Sequence, residues 1–234
     1  MTIRIDNLEF RWAPAGPLVL DIPSLAIDDG AQVLITGPSG SGKTSLLNIL
    51  SGIAVPGSGR VEISGQDMGA LPAPARDAFR AGRIGVVFQM FNLIPYLSVL
   101  ENVMLAGTFS TQRRERARAA GGLEAQARDL LDALGLTPSA FAGRRVDALS
   151  IGQQQRVAAA RALVGDPGLI IADEPTSALD AANRDAFIEL VSGACRARGA
   201  TLAVVSHDEA LFPLFDTRID MTALNRAAVA EIAS

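Results

Sequence analysis

At 234 residues with 49% apolar side chains, the chain can bury a sizeable core, as one large α/β domain or one domain with an inserted lobe. A formal net charge of −4 and a pI near 5.1 argue against a surface whose main task is to hold duplex nucleic acid. Cys195 stands alone and makes no internal disulfide, no apolar window reaches the roughly 18 residues of a membrane span, and the start Met1–Asp6 alternates unlike a signal peptide, so a soluble or peripheral cytoplasmic protein is expected.

In chain order, residues 2–10 alternate through Ile3, Ile5, Leu8 and Phe10, and a second strand-like run leads from Leu18 to Ile27 after Pro14, Gly16 and Pro17. The spacing predicts an antiparallel edge sheet. Ala31–Thr36 is a short apolar run bounded by Gly30 and Gly37, the pattern of a buried strand. It opens into Gly37-Pro38-Ser39-Gly40-Ser41-Gly42-Lys43-Thr44, and Thr44–Leu50 then carries good helix formers up to Gly52. Strand, glycine loop and helix form the context a phosphate-binding loop requires. Glycines let successive N–H groups turn inward around an anion, and the helix N-terminus adds roughly half a positive charge. Lys43 is expected to reach the β- and γ-phosphates, and the Thr44 hydroxyl to ligate magnesium. The loop indicates a nucleoside triphosphate without indicating the reaction.

Arg60–Gly65 alternates as a strand and Ile84–Gln89 reads as a buried one. From 90 to 165 strand signals vanish. Ser98 and Glu101 fit a capping box, and Leu123, Ala127, Leu130, Leu131 and Leu134 recur at helical spacing, with Gly135 as the stop. Arg113, Arg114, Arg116 and Arg118 are expected to form a solvated helix face. Ser150 is a good N-cap before helix formers, so a second helix N-terminus could receive an anion. Leu169–Asp173 and Ala200–Ser206 restore the sheet on either side of a helix at 181–197. The expected fold is α/β: a P-loop NTPase core with a mostly parallel sheet (1–89 and 166–234), an antiparallel β edge subdomain and an inserted helical subdomain (90–165).

Active groups in parallel sheets collect at the carboxyl ends of strands. Asp173 is therefore placed to hold magnesium, directly or through water. Glu174, one residue on, could orient or deprotonate a water attacking the γ-phosphate. His207, the one histidine, follows a strand parallel to that bearing Asp173.

The phosphate loop, Gln89 ending its strand, Leu149-Ser150-Ile151-Gly152-Gln153-Gln154-Gln155-Arg156, Leu169–Glu174, Ser177–Asp180 and His207, in this order, resemble the ATPase subunits of ABC transporters over nearly the whole chain. The resemblance implies ATP and Mg2+ as ligands. Trp12 would stack on adenine, Gly37 to Ser45 would cradle the phosphates, and Thr44, Gln89 and Asp173 would serve the metal. Glu174, His207, Lys43 and Gln89 would carry the hydrolysis. Two such domains would face head to tail, as a homodimer or heterodimer, so that ATP on one loop is capped by Ser150, Gly152 and Gln153 of the other, beside Asp180. A separate transmembrane permease would dock near Gln89–Val103, on exposed Phe91, Leu93, Ile94 and Tyr96, leaving the protein peripheral to the cytoplasmic face of the membrane.

Residues 83–103 further resemble the branch of lipoprotein-release, macrolide-efflux and cell-division ATPases, which implies export or extraction of a lipophilic or membrane-associated substrate. Ser177-Ala178, where that branch more usually has glycine-asparagine, keeps polar amino-acid import open. One departure is Ile151 in place of the first of two signature glycines. A β-branched residue avoids positive φ and adds bulk; with Gly152 kept, activity is expected to survive, the alternative being a weakened or regulated trans site. A soluble relative in DNA repair or translation would usually carry a coiled coil or a second copy, and a phosphate-loop kinase would not need Leu149–Arg156.

Overall fold

The computed structural model describes residues 2–177 and 179–227, so Ala178 of the Ser177-Ala178 pair lies outside the described residues. The chain opens with β1 (Ile3–Phe10), β2 (Leu20–Ile27), β3 (Gln32–Thr36), α1 (Lys43–Leu50), β4 (Ser58–Ile63), β5 (Gln66–Asp67), α2 (Ala73–Arg83) and β6 (Ile84–Val87). Helices follow: α3 (Val99–Thr108), α4 (Thr111–Arg118), α5 (Leu123–Ala133), α6 (Pro138–Phe141) and α7 (Ile151–Leu163). It closes with β7 (Leu169–Asp173), α8 (Ala181–Arg196), β8 (Thr201–Val205), β9 (Thr217–Asp220) and α9 (Met221–Leu224).

Five strands form a parallel sheet in the order β6-β7-β8-β3-β9. Its central strands are apolar along their length because both faces are covered. Leu34, Ile170, Ala172, Leu202 and Val204 face a core shared with α3, α5, α7 and α8. The alternate residues Val33, Ile35, Leu169, Ile171, Ala203 and Val205 face a second core with α1 and the antiparallel strands. Those strands form their own four-stranded sheet, β2-β1-β4-β5, and not an edge of the main one, because β1 is paired on both sides. Cys195 is fully buried on α8, where burial pushes its thiol up to about 12.

Several elements differ from the expected pattern. The arginine run and the apolar positions from Leu123 to Leu134 lie on two helices, α4 and α5, parted where Gly121 and Gly122 adopt positive φ. Helix α2, with Pro74 in its first turn, and β9 were not foreseen: one is polar on average with Phe79 as its single large apolar side chain, and the other reads Thr-Arg-Ile-Asp.

The arginine run is the largest correction. Arg114 and Arg118 are exposed as expected, but Arg113 is only 2% exposed and Arg116 is half-buried. Arg113 Nε donates to Ala81 O at 2.8 Å, Nη2 to Ile84 O at 2.7 Å, and Nη1 to Ala162 O at 3.0 Å and Val164 O at 2.7 Å. Arg116 donates to Gly165 O at 2.7 Å and to Gly82 O. The last carbonyls of α2 and α7 have no intrahelical donors, and these two guanidinium groups satisfy them at the negative ends of both helix dipoles. Burial, with Arg116 beside it, holds Arg113 down at about 10, while Asp166 acts in the other direction. Gly165, at φ +75°, leaves room for the seam, since a side chain there would come within 2.4 Å of Arg113 Cβ.

Candidate ATP site

The loop between β3 and α1 is built as its sequence demands. Gly42 is the N-cap of α1 at φ 93°, and a side chain there would strike Leu20 at 2.8 Å. Lys43 folds over the loop, donating from Nζ to Gly37 O at 2.7 Å and Pro38 O at 2.8 Å. Ser41 is buried beneath it. The loop is anchored by a residue that belongs to no motif. Buried Asn225 donates to Ser41 O at 3.0 Å and Val19 O at 2.9 Å, and accepts from Asp21 N at 2.8 Å. Trp12 meets Phe10 edge-on at 4.9 Å and donates from Nε1 to Ser45 Oγ at 3.2 Å. Its ring remains 60% exposed, beside the loop, with surface available for stacking.

Ser39, Gly40, Gly42, Lys43, Thr44 and Ser45 share a cleft of about 520 Å³ with Gln89, Asp173, Glu174, Ser177 and His207. Asp173 ends β7, where burial first, and then the neighbouring Glu174 carboxylate, push its carboxyl above the ordinary range against the pull of Lys43. A hydroxyl, an amide oxygen and a carboxylate short of positive charge form an oxygen donor set that fits Mg2+, and the glycine loop fits a triphosphate. Glu174 has φ +44°, and its N–H donates to Val205 O at 2.9 Å. Its Oε1 lies 3.0 Å from His207 Nδ1. Gln89 stands beyond β6, just before Phe91 and Asn92, which are both left-handed. Arg161, on the last turn of α7, donates to both of their carbonyls.

The remaining predicted residues lie elsewhere. Ser150, Gly152 and Gln153 line a separate depression of about 350 Å³ with Arg156, Leu179 and Asn183. Ser150 caps α7 in a capping box with Gln153, and Asp180 caps α8 by accepting from Asn183 N at 2.9 Å. That bond holds the Asp180 carboxyl below the ordinary range. Ile151 is the first residue of α7 and 53% exposed, so the concern about positive φ is removed: the position is helical and needs no glycine. Ile151→Gly is expected to leave turnover in a phosphate-release assay within about twofold of the parent, and a rise of about tenfold would show that the isoleucine restrains the site.

The expected apolar docking patch also changes. Phe91 and Leu93 pack partly buried against the core and Ile94 is half-buried, leaving Tyr96 exposed. Buried Asn102 holds this segment down by accepting from Ile94 N at 2.8 Å and donating to Ile94 O at 3.0 Å. An apolar groove of about 350 Å³ lies nearby, lined by Ile53, Phe88, Leu105 and Phe109, with Arg80 and Arg161 along it.

Residues 20–177 match the family described as ABC transporter. A lipoprotein-releasing system ATP-binding protein LolD from Syntrophotalea carbinolica is 40% identical over 203 residues, covering 87% of this chain and 86% of that one. A macrolide export ATP-binding/permease protein MacB from Chromobacterium violaceum is 42% identical over 209 residues, covering 86% of this chain and 30% of that larger protein. A dimeric, post-hydrolysis structure of the ATP-binding cassette MJ0796 with ADP and Pi superposes with a TM-score of 0.76 at 34% identity, over 93% of each chain. By that match and these identities, the chain belongs to the ABC transporter family and is an ATP-binding ATPase subunit of it.

Proposed function

We propose that this subunit works as half of a pair in which ATP is gripped between the loop Gly37–Thr44 of one chain and Ser150, Gly152 and Gln153 of the other, and that hydrolysis drives a separate transmembrane permease. The observation that carries this reading is the division of the two anion-binding elements, within one chain, between separate depressions. Each is half of a site, and the relative MJ0796 is a dimer.

In this reading Lys43 leaves the loop carbonyls for the β- and γ-phosphates, Trp12 stacks on adenine, and Thr44, Gln89 and Asp173 hold Mg2+. The metal would supply charge neutralisation between the phosphates. Glu174 orients and deprotonates the attacking water, and His207, in contact with it, reaches the γ-phosphate. Positioning and preorganised charge, more than covalent chemistry, lower the barrier. Of the segments 1–89 and 166–234 the described residues form the nucleotide core with its β subdomain, and 90–165 the helical subdomain that presents Ser150.

The permease would dock on the groove of Ile53, Phe88, Leu105 and Phe109, an apolar surface rimmed by arginine that suits an amphipathic helix carrying a carboxylate. No helix among the described residues is long and apolar enough to cross a membrane, so that attachment would hold the protein at the cytoplasmic face. The names of the LolD and MacB relatives support export or extraction of a lipophilic or membrane-associated substrate. Co-expression with the permease encoded nearest its gene tests this. Phe109→Ser, at a 77% exposed position, is expected to abolish co-purification while leaving the isolated subunit's ATPase rate intact. Undiminished co-purification would remove the groove from the interface.

A further inference from the structure

Two groups touch the Glu174 carboxylate, and they differ in freedom. His207, on Oε1, has a side chain 71% exposed and can follow a nucleotide. Ser206, whose Oγ lies 3.4 Å from Oε2, is 1% exposed and pinned. Its backbone N–H donates to Ile35 O at 3.1 Å, next to the end of the strand that opens into the phosphate loop. Its Oγ accepts from Asp208 N at 3.1 Å. Asp208 is itself held, accepting from Ala210 N at 3.0 Å and pairing with Arg184 of α8.

A hydroxyl has one proton and two lone pairs. With a lone pair taken by Asp208 N–H and no water-facing surface, the Ser206 proton is directed at Glu174. We infer that Ser206 is a positioning residue for hydrolysis: it fixes the orientation of the Glu174 carboxylate relative to the phosphate loop, through the backbone contact with β3. This rests on Glu174 being the group that handles the water. Glu174 lies one residue past β7 with a left-handed backbone, and Ser206 is the immobile donor that determines where its carboxylate points.

The test compares Ser206→Ala, Ser206→Thr and Glu174→Gln by steady-state ATP hydrolysis and ATP-dependent dimerisation. Ser206→Ala is expected to lower kcat about tenfold or more, with KM for ATP and the ATP-bound dimer within about twofold of the parent. Ser206→Thr, which restores the hydroxyl, is expected to recover at least half of the lost rate. The inference is overturned if Ser206→Ala turns over within about twofold of the parent, if it loses ATP affinity in step with turnover, or if Ser206→Thr is no faster than Ser206→Ala. Parental rates in Glu174→Gln would instead overturn the assignment of the base. An inactive Glu174→Gln beside a fully active Ser206→Ala would remove the role of Ser206 alone.

Discussion

Replacing Glu174 by glutamine is expected to lower phosphate release by a factor of about 100 or more while leaving ATP binding in place. The amide has the shape of the carboxylate, and its carbonyl oxygen can still accept from the Ser206 hydroxyl that lies 3.4 Å from the parent side chain. It has no basic lone pair with which to take a proton from water. The glycine loop, Lys43 and Thr44 are untouched, so nucleotide still enters the cleft. ATP that is held but not cleaved should accumulate a closed pair, seen on a sizing column as a shift to the dimer only when ATP and Mg2+ are present. A variant hydrolysing at the parental rate would show that another group handles the water.

The second large effect lies far from the nucleotide. Arg113→Ala is expected to destabilise the chain by about 3–5 kcal/mol, because removing one member of a buried polar cluster leaves its partners without solvent or donors. Four carbonyls, those of Ala81, Ile84, Ala162 and Val164, would lose the guanidinium at once. For a chain of this length each kcal/mol is about 2–4 °C, so the melting temperature should fall by roughly 6–20 °C. Arg113→Lys should recover only part of this, since an ammonium cannot spread donors across carbonyls from two helix ends and a strand. Arg118→Ala, on the exposed side of the same helix, should change stability by less than about 0.5 kcal/mol in the same urea or thermal series. Equal effects at 113 and 118 would mean that the buried seam contributes little.

What could be read from the residues beforehand was the chemistry that acts over a few positions. The glycine loop, the serine cap at 98 with Glu101 three residues on, the serine cap at 150, and the apolar strands 32–36, 169–173 and 201–205 are local patterns, and the fold contains each of them. What could not be read depends on groups distant in the chain. The four arginines at 113–118 look equivalent in sequence, and only the converging ends of α2 and α7 separate the buried ones from the exposed ones. Phe91 and Leu93 look like a sticky surface until the core behind them is in place. Ile151 raised a concern that vanished once the position proved to be the first residue of a helix. Within the site, Asp173, Glu174 and His207 were legible as strand-end groups beside the loop, whereas Ser206, Arg161 and Asn225 act through hydrogen bonds that no spacing rule reports.

The clasp from Asn225 to Ser41 has a bearing on how the protein is made. The amide that holds the loop, and β9, which flanks the strand leading into it, come some 180 residues after it. Contacts of such long sequence separation form late, since loop-closure entropy must be overcome before they return any stabilisation. Until residue 225 has been added to a growing chain, the glycine motif therefore lacks the amide that clasps it.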